Sequence, residues 1–284
     1  MPGSGGRLDV VATPIGNLED LTPRARAALA AADVVAAEDT RRTGTLLAAL
    51  GLSRPMVSLH DYNEQDRCAE MLQWLREGRH IALVSDAGTP LVSDPGFALV
   101  RAATAAGLDV RPVPGVSATI AALSAAGLPT DRFSFEGFLP ARATQRRAAL
   151  ERLATASQTL IFYEAPHRIV ATLTDLAAVF GAERRAVVAR ELTKLHETFY
   201  RGSLRELLEQ AAADTNFERG EITLLVEGAP VDAGQGDNGL LHRALELLLP
   251  ELPPARAAAV AAQLAGVPRN EAYALAMRFK AREA

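Results

Sequence analysis

The stretch Val84-Ser85-Asp86-Ala87-Gly88-Thr89-Pro90-Leu91-Val92-Ser93-Asp94-Pro95-Gly96 gathers carboxylates, hydroxyls and glycines in a segment with no apolar period. It follows Ile81-Ala82-Leu83-Val84, an apolar run too short for a helix and suited to a buried parallel strand. It precedes an apolar-periodic stretch from Phe97 to Ala106 that reads as a helix with Pro95 in its first turn. A polar loop in that place leaves the carboxyl end of a strand, where open α/β sheets bind their ligands. Gly88 and Gly96 let the backbone approach a ligand closely, and Asp86 and Asp94 offer carboxylates to hydroxyls or amines. The plainer alternative is a tight strand-to-helix connection with a capping Asp.

Four more polar clusters share that address. Pro14-Ile15-Gly16-Asn17, Glu38-Asp39-Thr40-Arg41-Arg42, His60-Asp61-Tyr62-Asn63-Glu64 and Pro114-Gly115-Val116-Ser117 each follow an expected strand. In a parallel sheet they converge with the Ser85 to Asp94 loop on one rim and build one binding site. Several chemistries are disfavoured there. No Gly-x-Gly-x-x-Gly follows the first strand, and no Gly-Lys-Ser/Thr phosphate loop occurs. The histidines at 60, 80, 167, 196 and 242 lack metal-ligand spacing, so no metal is expected. Gly127-Leu128-Pro129 and Gly137-Phe138-Leu139 hold no serine-nucleophile elbow.

The elements that must position these clusters alternate. Strands are expected at Leu8 to Ala12, Val34 to Ala37, Met56 to Leu59, Ile81 to Val84 and Asp109 to Val113. Helices are expected from Thr22, an N-cap followed by Pro23, to about Ala32, then at Leu46 to Leu50, Glu64 to Arg76 and Phe97 to Ala106. This alternation predicts a mostly parallel sheet with helices on both faces. A second, more mixed α/β domain opens at Phe133-Ser134-Phe135-Glu136-Gly137. In it come a helix carrying Arg142, Arg146, Arg147 and Arg152, strand Thr159 to Tyr163, helix Ile169 to Phe180 and strand Ala186 to Ala189. Strand Thr198 to Arg201 pairs back, and Gly220 to Glu227 supplies the last strand. Ala229 to Gly239 reads as a linker. Helices at Leu240 to Leu249, Pro254 to Leu264 and Asn270 to Ala281 fit a small nucleic-acid-binding module, or a packing or dimer-stabilising appendage. The six basic and four acidic residues from 240 to 284 support the first reading only modestly.

A chain of 284 residues with 49% hydrophobic and 23% charged residues is sized for about two domains and an appendage. A net charge of −4 excludes bulk attraction to nucleic acid or membrane, so any RNA contact must use a local basic patch. The single cysteine, Cys68, permits no internal disulfide and fits a reducing, cytoplasmic setting. No apolar run approaches bilayer length, and Met1 to Gly6 reads as a flexible leader without the apolar core of a signal peptide.

Seven stretches together resemble the bacterial ribosomal RNA small subunit methyltransferase I family of the tetrapyrrole methylase superfamily. They are Thr13-Pro14-Ile15-Gly16-Asn17-Leu18, Glu38-Asp39-Thr40-Arg41, the Ser85 to Gly96 loop, Val113-Pro114-Gly115-Val116-Ser117-Ala118, Phe162-Tyr163-Glu164-Ala165-Pro166-His167-Arg168, Ala189-Arg190-Glu191-Leu192-Thr193-Lys194 and Gly220-Glu221-Ile222. The resemblance spans about residues 7 to 228, and the tail is similar to the family's helix-turn-helix domain. It implies an N-terminal α/β domain at 7–118, a second at 119–228, a linker at 229–239 and a helical domain at 240–284. It also implies S-adenosylmethionine in the cleft between the α/β domains, a homodimer, and 2′-O-ribose methylation of a cytidine in small-subunit ribosomal RNA, free or assembled.

By position, the resemblance implies cofactor contacts at Pro14, at Ala87, Gly88, Thr89 and Val92, at Ser117 and Ala118, and at Tyr163, Glu164, Leu192 and Thr223. The superfamily's Gly-Asp-Pro is Gly88-Thr89-Pro90 here, which leaves Asp86 as the candidate replacement for that carboxylate. Methylating a ribose hydroxyl needs alignment and a place for a proton. Glu38, Asp39, Asp61, Glu191 and Lys194 are the candidates, with Lys194, Glu191 and Asp61 put forward. Lys194 would act either with a depressed pKa or as a cation beside the developing alkoxide. Arg41, Arg42, Arg142, Arg146 and Arg147 are candidates for phosphate contacts, a solvated charged face being the alternative for the 142–152 helix. Two rivals remain: a tetrapyrrole or protein methyltransferase of the same superfamily, which would share the cofactor cleft but against which the helix-turn-helix tail and the Thr13 to Asn17 and Tyr163 to Arg168 stretches argue, and a non-catalytic RNA-binding assembly factor that keeps the fold.

Overall fold

The computed structural model describes residues 6–60, 63–230 and 238–283. Its first sheet is β1 (Arg7–Val11), β2 (Val34–Ala37), β3 (Met56–Ser58), β4 (His80–Val84) and β5 (Asp109–Val113), all parallel in the order β3-β2-β4-β1-β5. β2 is buried throughout and β4 nearly so, because helices cover both faces of the sheet. Side chains alternate along the strands. Val35, Ala82 and Val84 pack with Leu29 and Leu47 on one face, and Leu8, Ile81 and Leu83 pack with Met71, Leu75 and Leu99 on the other.

The helices of this layer are α1 (Pro23–Ala31), α2 (Thr40–Ala49), α3 (Glu64–Arg76) and α4 (Phe97–Ala105). Thr22 caps α1 as its sequence predicts, its hydroxyl accepting the Ala25 N–H at 3.0 Å. α2 starts six residues earlier than the expected Leu46. Asp39 caps it by accepting the Arg41 N–H at 2.8 Å, and that cap outweighs the poor helix formers Thr43 and Gly44. α4 starts at Phe97 as expected, but Gly96 is its N-cap at φ 119°, so Pro95 lies outside the helix and not in its first turn. Its exposed donors are met from α3: Glu64 Oε1 accepts the N–H groups of Gly96 at 3.1 Å and Ala98 at 2.7 Å.

The second sheet is β6 (Phe133–Phe138), β7 (Thr159–Glu164), β8 (Arg185–Arg190), β9 (Thr198–Ser203) and β10 (Ile222–Val226), in the order β6-β7-β10-β8-β9. Only β6 and β7 pair in parallel. α6 (Ala143–Leu153) and α7 (Ile169–Phe180) flank it, together with two helices that the sequence pattern does not predict. α5 (Ala118–Ala126) is apolar on every side and shows no helical period; it packs Ala122, Leu123 and Ala126 against Ile161, Val187 and Leu225. α8 (Leu204–Ala213) opens on a Ser203/Glu206 capping box that the sequence did display.

The chain divides into two compact units, Met1–Gly228 and Ala229–Ala284. The second holds α9 (Asn238–Leu248), α10 (Pro254–Ala265) and α11 (Arg269–Glu283) around Leu241, Leu245, Ala258, Ala261, Ala272 and Ala276. Gly266 at φ 67° ends α10 in the left-handed conformation that glycine takes without a Cβ penalty. No helix among the described residues is long and apolar enough to cross a membrane.

Candidate active site

The loops after β1 and β4 are tied to each other before anything binds between them. Thr13 and Gly88 exchange backbone hydrogen bonds, at 2.8 Å from the Thr13 N–H and 3.0 Å from the Gly88 N–H. Gly88 sits at φ 78°, and a Cβ there would lie 3.4 Å from Ile15 Cγ2. The same loop holds Leu91 at φ 72° and Ser93 at φ 64°. Left-handed backbone at non-glycine residues is costly and concentrates at functional sites. The other such residues in the described chain are Glu191 at φ 52° and Thr193 at φ 64°, flanking Leu192 in the loop after β8. All four strained residues thus belong to two loops, one from each sheet.

Between these loops lies a cavity of about 410 Å³. From the first sheet it takes Ile15, Glu38, Arg42, the loop residues Asp86, Ala87, Gly88, Thr89, Val92 and Asp94, and then Ser117 and Ala118. From the second it takes Phe138, Tyr163 to Pro166, Leu192 and Gly220 to Thr223. Of the residues proposed for the cofactor, only Pro14 is off this wall; its neighbour Ile15 is on it. Four of the five polar clusters reach the cavity. The fifth, at 60–64, follows edge strand β3 and serves α4 through Glu64 instead, while Asp61 lies outside the described residues. Phe138, Pro166 and Glu221 were not singled out as site residues, although Glu221 stands inside the Gly-Glu-Ile motif.

Hydrogen bonds lock the lining. Asp86 accepts the Asp39 N–H at 3.0 Å and pairs with Arg42 at 3.1 Å, so it joins the ends of β2 and β4. Asp39 itself is held well below the usual carboxylate range by hydrogen bonds from the Arg41 side chain and N–H. Thr119 donates to the Tyr163 hydroxyl at 3.0 Å, and Phe135 and Phe138 meet that ring edge-on at 4.7 and 5.7 Å. Glu164 is fully buried: it accepts the Ala165 N–H at 2.8 Å and the Thr172 hydroxyl, with Arg168 Nε 3.2 Å away.

Lys194 and Glu191 stand just behind the wall. Lys194 Nζ lies 2.8 Å from Glu191 Oε1 and 3.0 Å from Glu221 Oε2, and Glu221 faces the cavity. Burial pushes the Lys194 pKa down, but its two carboxylate partners outweigh burial and the net shift is upward. The direction is opposite to the depressed pKa that was one of the two expectations for Lys194. Burial raises Glu191, and the Lys194 hydrogen bond together with the Glu221 N–H reverses this to a net lowering.

The arginines separate into two groups. Arg146 is a correction: it is buried, with Nε and Nη2 each 2.7 Å from Asp175 Oδ2, so it presents no guanidinium to a phosphate. Arg147 joins the same carboxylate at 2.6 Å with an outward-facing side chain. Arg142 is exposed at the N-cap of α6, Arg41 is exposed, and Arg42 borders the cavity. Among the described residues, no group of three or more His, Cys, Asp or Glu could hold a metal ion.

Comparison with known proteins matches this architecture. The family model for Tetrapyrrole (Corrin/Porphyrin) Methylases covers residues 7–208, and that for the RsmI C-terminal HTH domain covers 236–280. The ribosomal RNA small subunit methyltransferase I of Xylella fastidiosa (strain Temecula1) is 54% identical over 269 residues, 94% of this chain and 98% of that protein. Its namesake in Pseudomonas aeruginosa (strain PAO1) is 51% identical over 276 residues, 97% of this chain and 98% of the relative. Among solved structures, the methyltransferase CobJ aligns with a TM-score of 0.59 at 25% identity, over 79% of this chain and 95% of that one.

Proposed function

Because the chain belongs to the tetrapyrrole methylase family and, within it, to the ribosomal RNA small subunit methyltransferase I proteins, we propose that it methylates the 2′-oxygen of a cytidine in small-subunit ribosomal RNA from S-adenosylmethionine. The observation that carries this is the cavity between two loops of strained backbone, one from each sheet.

The residues present fit such a donor. The cavity volume of about 410 Å³ lies in the range of small-molecule sites. Ile15, Val92 and Leu192 supply apolar surface, bare Gly88 keeps the floor open, and Asp86 and Asp94 border it with carboxylates suited to an ammonium group or ribose hydroxyls. When bound, the donor supplies a methyl group on a positively charged sulfur. The protein's part is to hold the acceptor oxygen in line, which removes much of the barrier by pre-empting lost translational and rotational freedom. Arg41, Arg42 and Arg142 then contact backbone phosphates, and residues 240–284 add RNA contacts through their three helices. In this scheme 7–118 and 119–228 are the two α/β domains that share the cavity, and the protein works as a cytoplasmic homodimer on ribosomal RNA or the assembled subunit; of the linker expected at 229–239, residues 231–237 lie outside the described residues and 238–239 already belong to α9.

Calorimetric titration with S-adenosylhomocysteine tests the site. Saturable one-site binding is expected, weakened at least tenfold by Gly88→Val, which adds a branched side chain at a left-handed position on the cavity wall. Absence of binding by the unaltered protein would remove the proposal.

A further inference from the structure

We propose that Glu221 is the group that takes the proton from the acceptor hydroxyl, with Lys194 and Glu191 as the residues that position it; this rests on the 2′-oxygen methylation proposed above. Five carboxylates border the cavity: Glu38, Asp86, Asp94, Glu164 and Glu221. Glu164 has both oxygens committed to Ala165, Thr172 and Arg168 in a fully buried setting. Asp86 has one oxygen on the Asp39 N–H and the other on Arg42. Glu38 Oε2 receives the Asp86 N–H at 3.3 Å and so belongs to the same locked corner. Glu221 differs from these three, because its side chain is 72% exposed and is held by one ion pair, to Lys194 at 3.0 Å.

Exposure alone would leave a carboxylate mobile, but the Glu221 backbone is clamped from both sides. Its N–H donates to Glu191 Oε1 at 2.9 Å, and its carbonyl accepts the Glu191 N–H at 2.9 Å. Gly220 makes this possible. At φ 77° it lies so close to Glu191 that a Cβ would stand 2.4 Å from Glu191 Cδ. Glu191 in turn is kept at φ 52° and binds Lys194 Nζ at 2.8 Å. One residue therefore fixes both the main chain of Glu221 and the cation that orients its carboxylate, at a place where strained backbone marks function.

The step balances without any further reactant. The ribose oxygen forms a bond to the methyl carbon while the carbon–sulfur bond breaks and its electron pair stays on sulfur. The hydroxyl proton passes to a Glu221 carboxylate oxygen, from which water removes it at the open mouth of the site. A positioned base of this kind contributes about 10²- to 10⁴-fold.

The experiment compares the unaltered protein with Glu221→Gln, Glu221→Asp and Asp94→Asn. Methyl transfer to small ribosomal subunits is followed across pH, together with S-adenosylhomocysteine affinity by calorimetry and the unfolding midpoint. Glu221→Gln is expected to lower kcat by about 10²-fold or more and to abolish the acid limb of the pH profile. Its affinity and midpoint should stay unchanged, and Glu221→Asp should recover part of the rate. A Glu221→Gln rate within threefold of the unaltered protein overturns the inference. So does a rate loss that is accompanied by an equal loss of affinity, or one found in Asp94→Asn but not in Glu221→Gln. If the unaltered protein transfers no methyl to ribose, the functional proposal falls and this inference with it. An active unaltered protein beside an unimpaired Glu221→Gln removes the inference alone.

Discussion

Gly16 and Lys194 approach so closely that a β-carbon on Gly16 would stand 2.4 Å from Lys194 Cγ and 3.1 Å from Thr193 Oγ1. Gly16 follows β1 in the first sheet, and Lys194 follows β8 in the second. The contact therefore ties the two sheets together at the edge of the cavity. It also explains where Lys194 points, because the lysine stem lies over bare glycine backbone while Nζ reaches Glu191 and Glu221.

Gly16→Ala should push the Lys194 stem aside and break its bond to Glu221. Methyl transfer is expected to fall at least tenfold, since small misplacements near a reacting centre can cost about 10²-fold. Steady-state rates at saturating donor measure this, and an unchanged rate would mean that Lys194 can move without consequence.

Gly220→Ala places a β-carbon into Glu191 at a left-handed position. The strain of an occupied left-handed residue is about 1–3 kcal/mol, and the forced shift of Glu191 adds to it. Chemical denaturation should show a loss of at least about 1 kcal/mol. Gly51→Ala serves as the comparison: it is also left-handed, at φ 69°, but its Cβ would meet nothing within 4 Å.

Asp175 on α7 is buried and holds both Arg146 and Arg147 of α6. Removing one partner of a buried pair leaves an uncompensated charge and costs about 3–5 kcal/mol, so Asp175→Asn should destabilise strongly. Arg146→Met combined with Asp175→Leu should be much milder. The pair also sets a pH dependence. Burial raises the Asp175 pKa, but hydrogen bonds and charges from Arg147 and Arg146 reverse this to a net lowering. A carboxylate depressed in the folded state contributes stability above its unfolded pKa of about 3.9 and loses it as pH falls through the folded value. The unaltered protein should therefore lose stability below about pH 4 in part through this residue. Urea midpoints across pH should show that share missing in Asp175→Asn.

Arg41 projects with its side chain 89% exposed, carrying Asp39 as a partner. If it meets a phosphate, Arg41→Ala should reduce the slope of log affinity against log salt by about 0.7–0.9. Arg146→Ala should leave that slope alone and lower the unfolding midpoint instead, because Arg146 is buried against Asp175.

Much of this was legible in the sequence where the signal is local. Val34 to Ala37 reads as a buried strand because nothing polar interrupts it, and α3 runs over Glu64–Arg76 as its spacing predicts. The rim of loops follows from strand–helix alternation alone, which is why Asp86 to Val92 and Ser117 could be assigned to one place. What escaped depends on partners far along the chain or on weak periodicity. Arg146 looks like a surface charge until Asp175, 29 residues later, takes it inside. Glu64 looks like a member of the rim until the open end of α4 claims it. α5 is too uniformly apolar to show a helical face, and Thr43 and Gly44 mask the α2 start that the Asp39 cap sets. The charge state of Lys194 could not be read from spacing, because it depends on Glu221 as much as on its neighbour Glu191.

The most direct test of the account is transfer of labelled methyl from S-adenosylmethionine to small ribosomal subunits taken from a strain that lacks this activity. The recovered RNA would be digested to nucleosides and resolved by mass spectrometry. Labelled 2′-O-methylcytidine is the predicted product, and it should be absent when the cavity is blocked by Gly88→Val. Label in a methylated base, in a tetrapyrrole or in protein, or no label on RNA despite donor binding, would contradict the account.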